Sequence, residues 1–167
     1  LFQLIAELHF ESGYPYLLFD DTVNQRNPHA QKGRIVMSNL CSEIAQVSTE
    51  STYNDDLSFK DIGEDICCNL GSINIAEAMT DAKHFSQLIT TSIRALDQVS
   101  RASDLSCAPS IEKGNAANHA VGLGAMNLHG FLATNHLYYD SEEAVDFTDL
   151  FFHTMAYPAF KASCQLA

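Results

Sequence analysis

The spacing of apolar residues changes several times along this chain, and each change marks an element. In "LFQLIAELHF", Leu1, Leu4, Ile5 and Leu8 fall on one helical stripe, and Gly13 follows as a stop signal. "YPYLLF" (Tyr14 to Phe19) is a continuous apolar run of strand length and reads as a buried strand. "DDTVNQRNPHAQKG" is a polar loop turning at Asn27-Pro28, and "RIVM" (Arg34 to Met37) reads as a strand leading into "SNLCSEI". Residues 48 to 65 are polar enough for a surface excursion. "DICCNLGSINIAEAM" returns to buried character, with a strand near Cys67 and a turn at Gly71.

Residues 84 to 103 carry Phe85, Leu88, Ile89, Ile93, Leu96 and Val99 at helical spacing. "SIEKGNAANH" reads as a loop, broken at Gly114. "AVGLGAMNLHGFLATN" reads as a strand or tight turn feeding a helix. A last helix starts at an Asp140 or Ser141 cap with Glu142 and Glu143 in its first turn, and carries Val145, Phe151, Phe152 and Met155. Pro158 is expected to kink or end it. Strands alternating with helices imply an α/β architecture with largely parallel strands. Both ends of the chain fall inside helical patterns, so the sequence is expected to be an internal piece of a longer one.

Composition narrows the class. With 167 residues, 46% hydrophobic and 18% charged, the chain can bury a sizeable core. A net charge of −12 repels phosphate backbones, so nucleic-acid binding is not expected, although a small phosphorylated ligand needs only a local donor cluster. The five cysteines (Cys41, Cys67, Cys68, Cys107 and Cys164) include no C-x-x-C pair. Their odd number and the lack of a signal peptide point to reduced thiols in the cytoplasm. No structural zinc site is expected, nor a membrane span, which needs about 18 consecutive apolar residues.

"SNLCSEI" (38 to 44) holds the densest chemistry. In an extended strand Asn39, Cys41 and Glu43 would share one face while Leu40 and Ile44 anchor the other. The bland alternative is a half-buried strand whose cysteine is a small core hydrophobe. Cys67 and Cys68 lie on a second strand, where neighbours point to opposite faces, so at most one can share a site with Cys41. The residues alone do not choose between them. "GLGAMN" (122 to 127) is a weak match to a dinucleotide loop and is better explained by close strand–helix packing. Asp20, Asp21, Asp55 and Asp56 read as caps or solvated charge. His119 and His129 read as satisfied or capping histidines, and Cys107 and Cys164 as packing residues.

Taken in order, "ESGYPYLLFDDTVN", "MSNLCSEI", "CNLGSINIA" and "GLGAMNLHGFL" resemble the large (α) subunit of ribonucleotide reductase, in its bacterial class Ib form, over essentially the whole chain. The resemblance implies a ten-stranded α/β barrel with a central finger loop. Residues 1–167 would be part of that catalytic barrel domain. It implies a transient thiyl radical on Cys41 that takes hydrogen from C3′ of a ribonucleotide. Glu43 would accept the 3′-hydroxyl proton, Asn39 would hydrogen-bond the substrate, and the stretch Asn39, Leu40, Cys41, Ser42, Glu43 would lie against the ribose. Cys68 matches one of the two cysteines that reduce C2′ and become a disulfide. Its partner is expected upstream of this sequence. Cys67 matches no family role.

The same resemblance implies partners and cofactors outside these residues. They are a ribonucleoside diphosphate substrate, a second large subunit in a homodimer, and a small (β) subunit bearing a dimetal–tyrosyl radical. A glutaredoxin-like or thioredoxin reductant and ATP, dATP or dNTP effectors complete the set. No metal or cofactor is expected on this chain itself, and the piece alone is expected to be inactive. Tyr138-Tyr139 is not expected to be the tyrosine pair of the radical pathway, since it falls too early and in a connecting loop. Three alternatives remain: an adenosylcobalamin-dependent class II reductase, whose barrel has a similar N-x-C-x-E segment; a remnant without catalysis; and a thiol-nucleophile hydrolase, which would need a histidine beside Cys41.

Overall fold

The computed structural model describes residues 1–167. They form two compact units: residues 1–66 with 109–114, and residues 67–108 with 115–167.

The first unit begins with helix α1 (Phe2–Ser12), ended as expected by Gly13, whose φ of 77° lets its N–H donate to the His9 carbonyl. No residue of α1 is buried. A short helix α2 (Asp20–Gln25) follows, with Asp20 and Asp21 in its first turn, where the helix dipole favours them. The polar excursion is an antiparallel hairpin, β1 (Thr52–Tyr53) with β2 (Phe59–Asp61). Its turn is held by Asp56 Oδ1, which accepts from the Ser58 N–H (3.0 Å) and hydroxyl (2.6 Å). Asp56 thus forms a turn, whereas Asp20 and Asp21 lie in the first turn of α2 without capping it through a side-chain hydrogen bond.

Two expected strands of this unit do not form. Residues 14–19 are irregular, with Phe19 and Leu17 exposed, because a strand needs a hydrogen-bonding neighbour and none of the four strands lies beside them. Arg34 to Met37 is extended but pairs with a side chain. The Ile35 N–H donates to Asn24 Oδ1 (2.9 Å), and Asn24 Nδ2 donates to the Ile35 carbonyl (3.0 Å). Asn24 so supplies both partners that a strand would have, and Ile35 is buried.

The second unit is built on β3 (Cys68–Asn74) and β4 (Ala120–Met126), paired in parallel from Cys68↔Ala120 to Asn74↔Met126. Gly71 lies mid-strand and does not turn the chain. It faces Leu96, whose methyl would be in ordinary contact, 3.4 Å, with a Cβ there. Helices α3 (Ile75–Thr80), α4 (Phe85–Ala102), α6 (Leu128–Thr134) and α7 (Glu142–Leu166) pack around this pair. The core joins Ile73, Ile75, Ala78, Phe85, Ile89, Phe151 and Met155. Phe85 meets Phe151 at 5.2 Å between ring centroids. Ser141 caps α7 by accepting from the Ala144 N–H (3.2 Å).

Two breakers behave differently from expectation. "SIEKGNAANH" is helical: α5 spans Pro109–Asn118 with Gly114 inside it. A Cβ at Gly114 would overlap the Asp65 carbonyl, so glycine is required there for close backbone approach, not to end a helix. Pro158 lies inside α7, which runs on to Leu166. Pro158 is buried on the same face as Phe151, Met155 and Ala162, and that packing offsets the lost backbone hydrogen bond.

Candidate functional site

The segment 38–44 is not an extended strand but a tight loop. The Ser42 N–H donates to the Asn39 carbonyl (3.1 Å), the Asn39 N–H to the Ile44 carbonyl (3.2 Å), and the Ile44 N–H to Asn39 Oδ1 (3.0 Å). Ser38 Oγ donates to the Asn39 carbonyl at 3.1 Å. Asn39 therefore closes the loop from both ends, with Ser42 in the left-handed region at φ 64°. The alternation argument fails because the turn replaces strand geometry. Leu40 is 76% exposed and anchors nothing, and Ile44 is half-buried. The turn exposes two of the three candidate side chains. Cys41 and Glu43 are both exposed at or beside its tip, and the Asn39 bond through Oδ1 leaves that amide's N–H donors unused by the loop.

The rings of Tyr14 and Tyr16 meet in a tilted arrangement, 5.0 Å between centroids, in the same unit. The Tyr16 phenol is held above its ordinary range, chiefly by its hydrogen bond to Tyr14 and by Tyr14's charge, with a smaller push from Cys41.

In the second unit the sheet has two unlike faces. Asn69, Gly71 and Ile73 turn toward α4 and the core: Asn69 Nδ2 donates to Ser100 Oγ (2.6 Å) and Gly71 faces Leu96. By alternation Cys68, Leu70 and Ser72 point the other way. They lie beside Ala120, Gly122 and Gly124, and a Cβ at Gly122 would sit 3.6 Å from Cys68 Sγ. Cys68 thus stands on an open sheet face next to a strip of backbone, where close approach is possible. Cys67 precedes the strand, half-buried. "GLGAMN" is no loop either, since its two glycines lie within β4.

The sequence reading missed a polar cluster on α4. Asp97 is 4% exposed and accepts from Arg101 Nε (2.6 Å) and pairs with His119 Nδ1 (3.2 Å). Arg101, and then His119, hold its carboxyl below the usual carboxylate range. The signal was available as an Asp–Arg pair four residues apart on a helix, but it sat on the apolar stripe and was passed over. His119 caps the end of α5 in the left-handed region, as a capping histidine should. Beside the cluster lies a cavity of about 310 Å³ lined by Asp97, Arg101, His119 and Ser163. His129 packs edge-on against Tyr139 in the loop before α7, with Tyr138 and Tyr139 exposed. No three His, Cys, Asp or Glu side chains converge as metal ligands would. No helix is long and apolar enough to cross a membrane.

The family model for the ribonucleotide reductase barrel domain matches residues 1–167. The chain belongs to the ribonucleotide reductase barrel-domain family. Its mixed helix and strand structure is part of that barrel. It is 66% identical over 166 residues to the ribonucleoside-diphosphate reductase subunit alpha of Mycoplasma pneumoniae, covering 99% of this chain and 23% of that protein. It is 40% identical over 167 residues to the subunit of the same name from Bacillus subtilis, covering 100% of this chain and 24% of that one. Among solved structures, the class Id ribonucleotide reductase alpha subunit of Actinobacillus ureae superposes with a TM-score of 0.74 at 26% identity, over 98% of this chain and 30% of that one. The chain therefore spans about a quarter of the length of the curated reductase subunits it matches.

Proposed function

We propose that this chain is the part of a class Ib ribonucleoside-diphosphate reductase large subunit that carries the hydrogen-abstracting cysteine and one reducing cysteine. The observation that supports this best is the loop at 39–44, in a chain that matches the reductase barrel family throughout. It exposes both Cys41 and Glu43 and is closed by Asn39.

In this reading Cys41, as a thiyl radical, takes the hydrogen atom from C3′ of a ribonucleoside diphosphate. The S–H and ribose C–H bonds are close in strength, so the hydrogen can later be returned. Glu43 accepts the 3′-hydroxyl proton, which an exposed carboxylate two residues away can reach. Asn39 donates to the substrate through its N–H groups, and Leu40 and Ser42 lie with it against the ribose. Cys68 and a second thiol then give two electrons and two protons to the 2′ position. The C2′–O bond breaks, water leaves, and an S–S bond forms.

The oxidising equivalent for Cys41 would come from a dimetal–tyrosyl radical on a separate small subunit. A large-subunit homodimer, a glutaredoxin-like or thioredoxin reductant and dNTP effectors complete the proposed assembly.

The test uses the full-length large subunit with its small subunit and a substrate tritiated at C3′. Tritium release that disappears in Cys41→Ser is expected. Release that persists in that variant overturns the assignment.

A further inference from the structure

We propose that Asn69 and Ser100 are positioning residues for the Cys68 thiol. The proposal rests on the reading of Cys68 as a reducing cysteine. Asn69 follows Cys68 directly on β3 and points to the opposite face, where its Nδ2 donates to Ser100 Oγ at 2.6 Å. Ser100 is 1% exposed, and its own carbonyl accepts from Asn115 Nδ2 at 3.0 Å. The anchor is therefore fixed by burial and by a second helix. One turn earlier on α4, Asp97 holds His119, the residue just before β4, whose first residue Ala120 is the register partner of Cys68. Two positions on one helix thus tie down the starts of both strands at the level of the thiol.

Beyond its ladder with β4, the start of β3 lies away from the core cluster, which gathers at Ile73 near the strand's far end and at Ile75 in α3. The ladder with β4 holds the backbone, and the Asn69–Ser100 bond sets the roll of the first β3 residues about the strand axis, which moves Sγ directly. Reduction at C2′ is sensitive to such movement, because the sulfur must meet both a carbon and a second sulfur in a narrow geometry.

The experiment compares Asn69→Ala, Ser100→Ala and the double variant in the full-length enzyme with its small subunit. Single-turnover reduction by the prereduced protein, KM, and exchange of the 3′ hydrogen are measured. The expected result is a roughly tenfold slower reduction in each single variant, with KM and 3′-hydrogen exchange unchanged. The double variant should be no worse than either single one, since both act through one contact. Ile89→Val serves as the control: it loosens the same unit's core and should leave the reduction rate alone.

Normal reduction in Ser100→Ala overturns the proposal, as do additive losses or a parallel fall in 3′ exchange. If Ser100→Ala does not fold, the half-buried Asn69→Ala decides in its place. Cys68→Ser separates the two ideas. Sustained turnover in that variant removes the underlying reading, whereas a blocked Cys68→Ser beside a normal Asn69→Ala removes the positioning role alone.

Discussion

Replacing Gly114 by alanine tests the tightest backbone approach in the first unit. The new methyl would overlap the Asp65 carbonyl oxygen and come within 2.9 Å of its carbon, so α5 and the 62–65 segment must separate. Three hydrogen bonds depend on their spacing. The Asp65 N–H donates to the Ser110 carbonyl (3.0 Å), Ser110 Oγ to Asp65 Oδ2 (2.6 Å), and Lys113 Nζ to the Ile62 carbonyl (2.6 Å). At about 1 kcal/mol net for each, their loss costs about 3 kcal/mol. Alanine in a helix interior returns about 1 kcal/mol over glycine, leaving a net destabilisation of about 2 kcal/mol. Hydrogen exchange at the Asp65 amide in the full-length protein reads this locally and should speed up about thirtyfold. Unchanged or slower exchange would show that helix propensity, not close approach, governs this site, and would refute the reasoning.

Four further outcomes are expected. Cys41→Ser should abolish deoxyribonucleotide formation while leaving the thermal unfolding of the parent protein unchanged, because the residue is exposed in a loop closed by other groups. Cys68→Ser should keep 3′-tritium release but block repeated turnover with dithiol reductants; repeated turnover would mean that another cysteine does the reduction. Gly122→Ala should cost under about 1 kcal/mol, since the methyl meets the mobile tip of half-exposed Leu70, yet slow reduction by filling space 3.6 Å from Cys68 Sγ. Asp97 has its pKa lowered in the fold, so its stabilisation is fully present above the unfolded value of about 3.9 and is lost as pH falls through the lower folded value. Asp97→Asn should flatten that acid limb in a pH series of urea unfolding; an unchanged limb would show that the cluster contributes little.

The sequence by itself determined the elements whose partners are local. The α1 stop at Gly13, the amphipathic α4 and the Ser141 cap of α7 each depend on residues a few positions apart, and periodicity and capping rules read them directly. It also determined the candidate chemistry, because N-x-C-x-E and C-N-L-G-S-I-N are specific strings whatever backbone they adopt. Tertiary structure decided what depends on distant neighbours. Whether 14–19 is a strand depends on a pairing partner, and Ile35 found one in the Asn24 side chain. Gly114 could be judged only with Asp65 beside it, and Pro158 only with α7's buried face in place. The backbone of 39–44 lies outside the reach of alternation, which describes a strand, because a turn closed by one asparagine side chain leaves no periodic trace. The orientation of Cys67 and Cys68 followed the same division. Their opposite faces were legible in the sequence, but only the packing of Asn69 on Ser100 fixed which face is open.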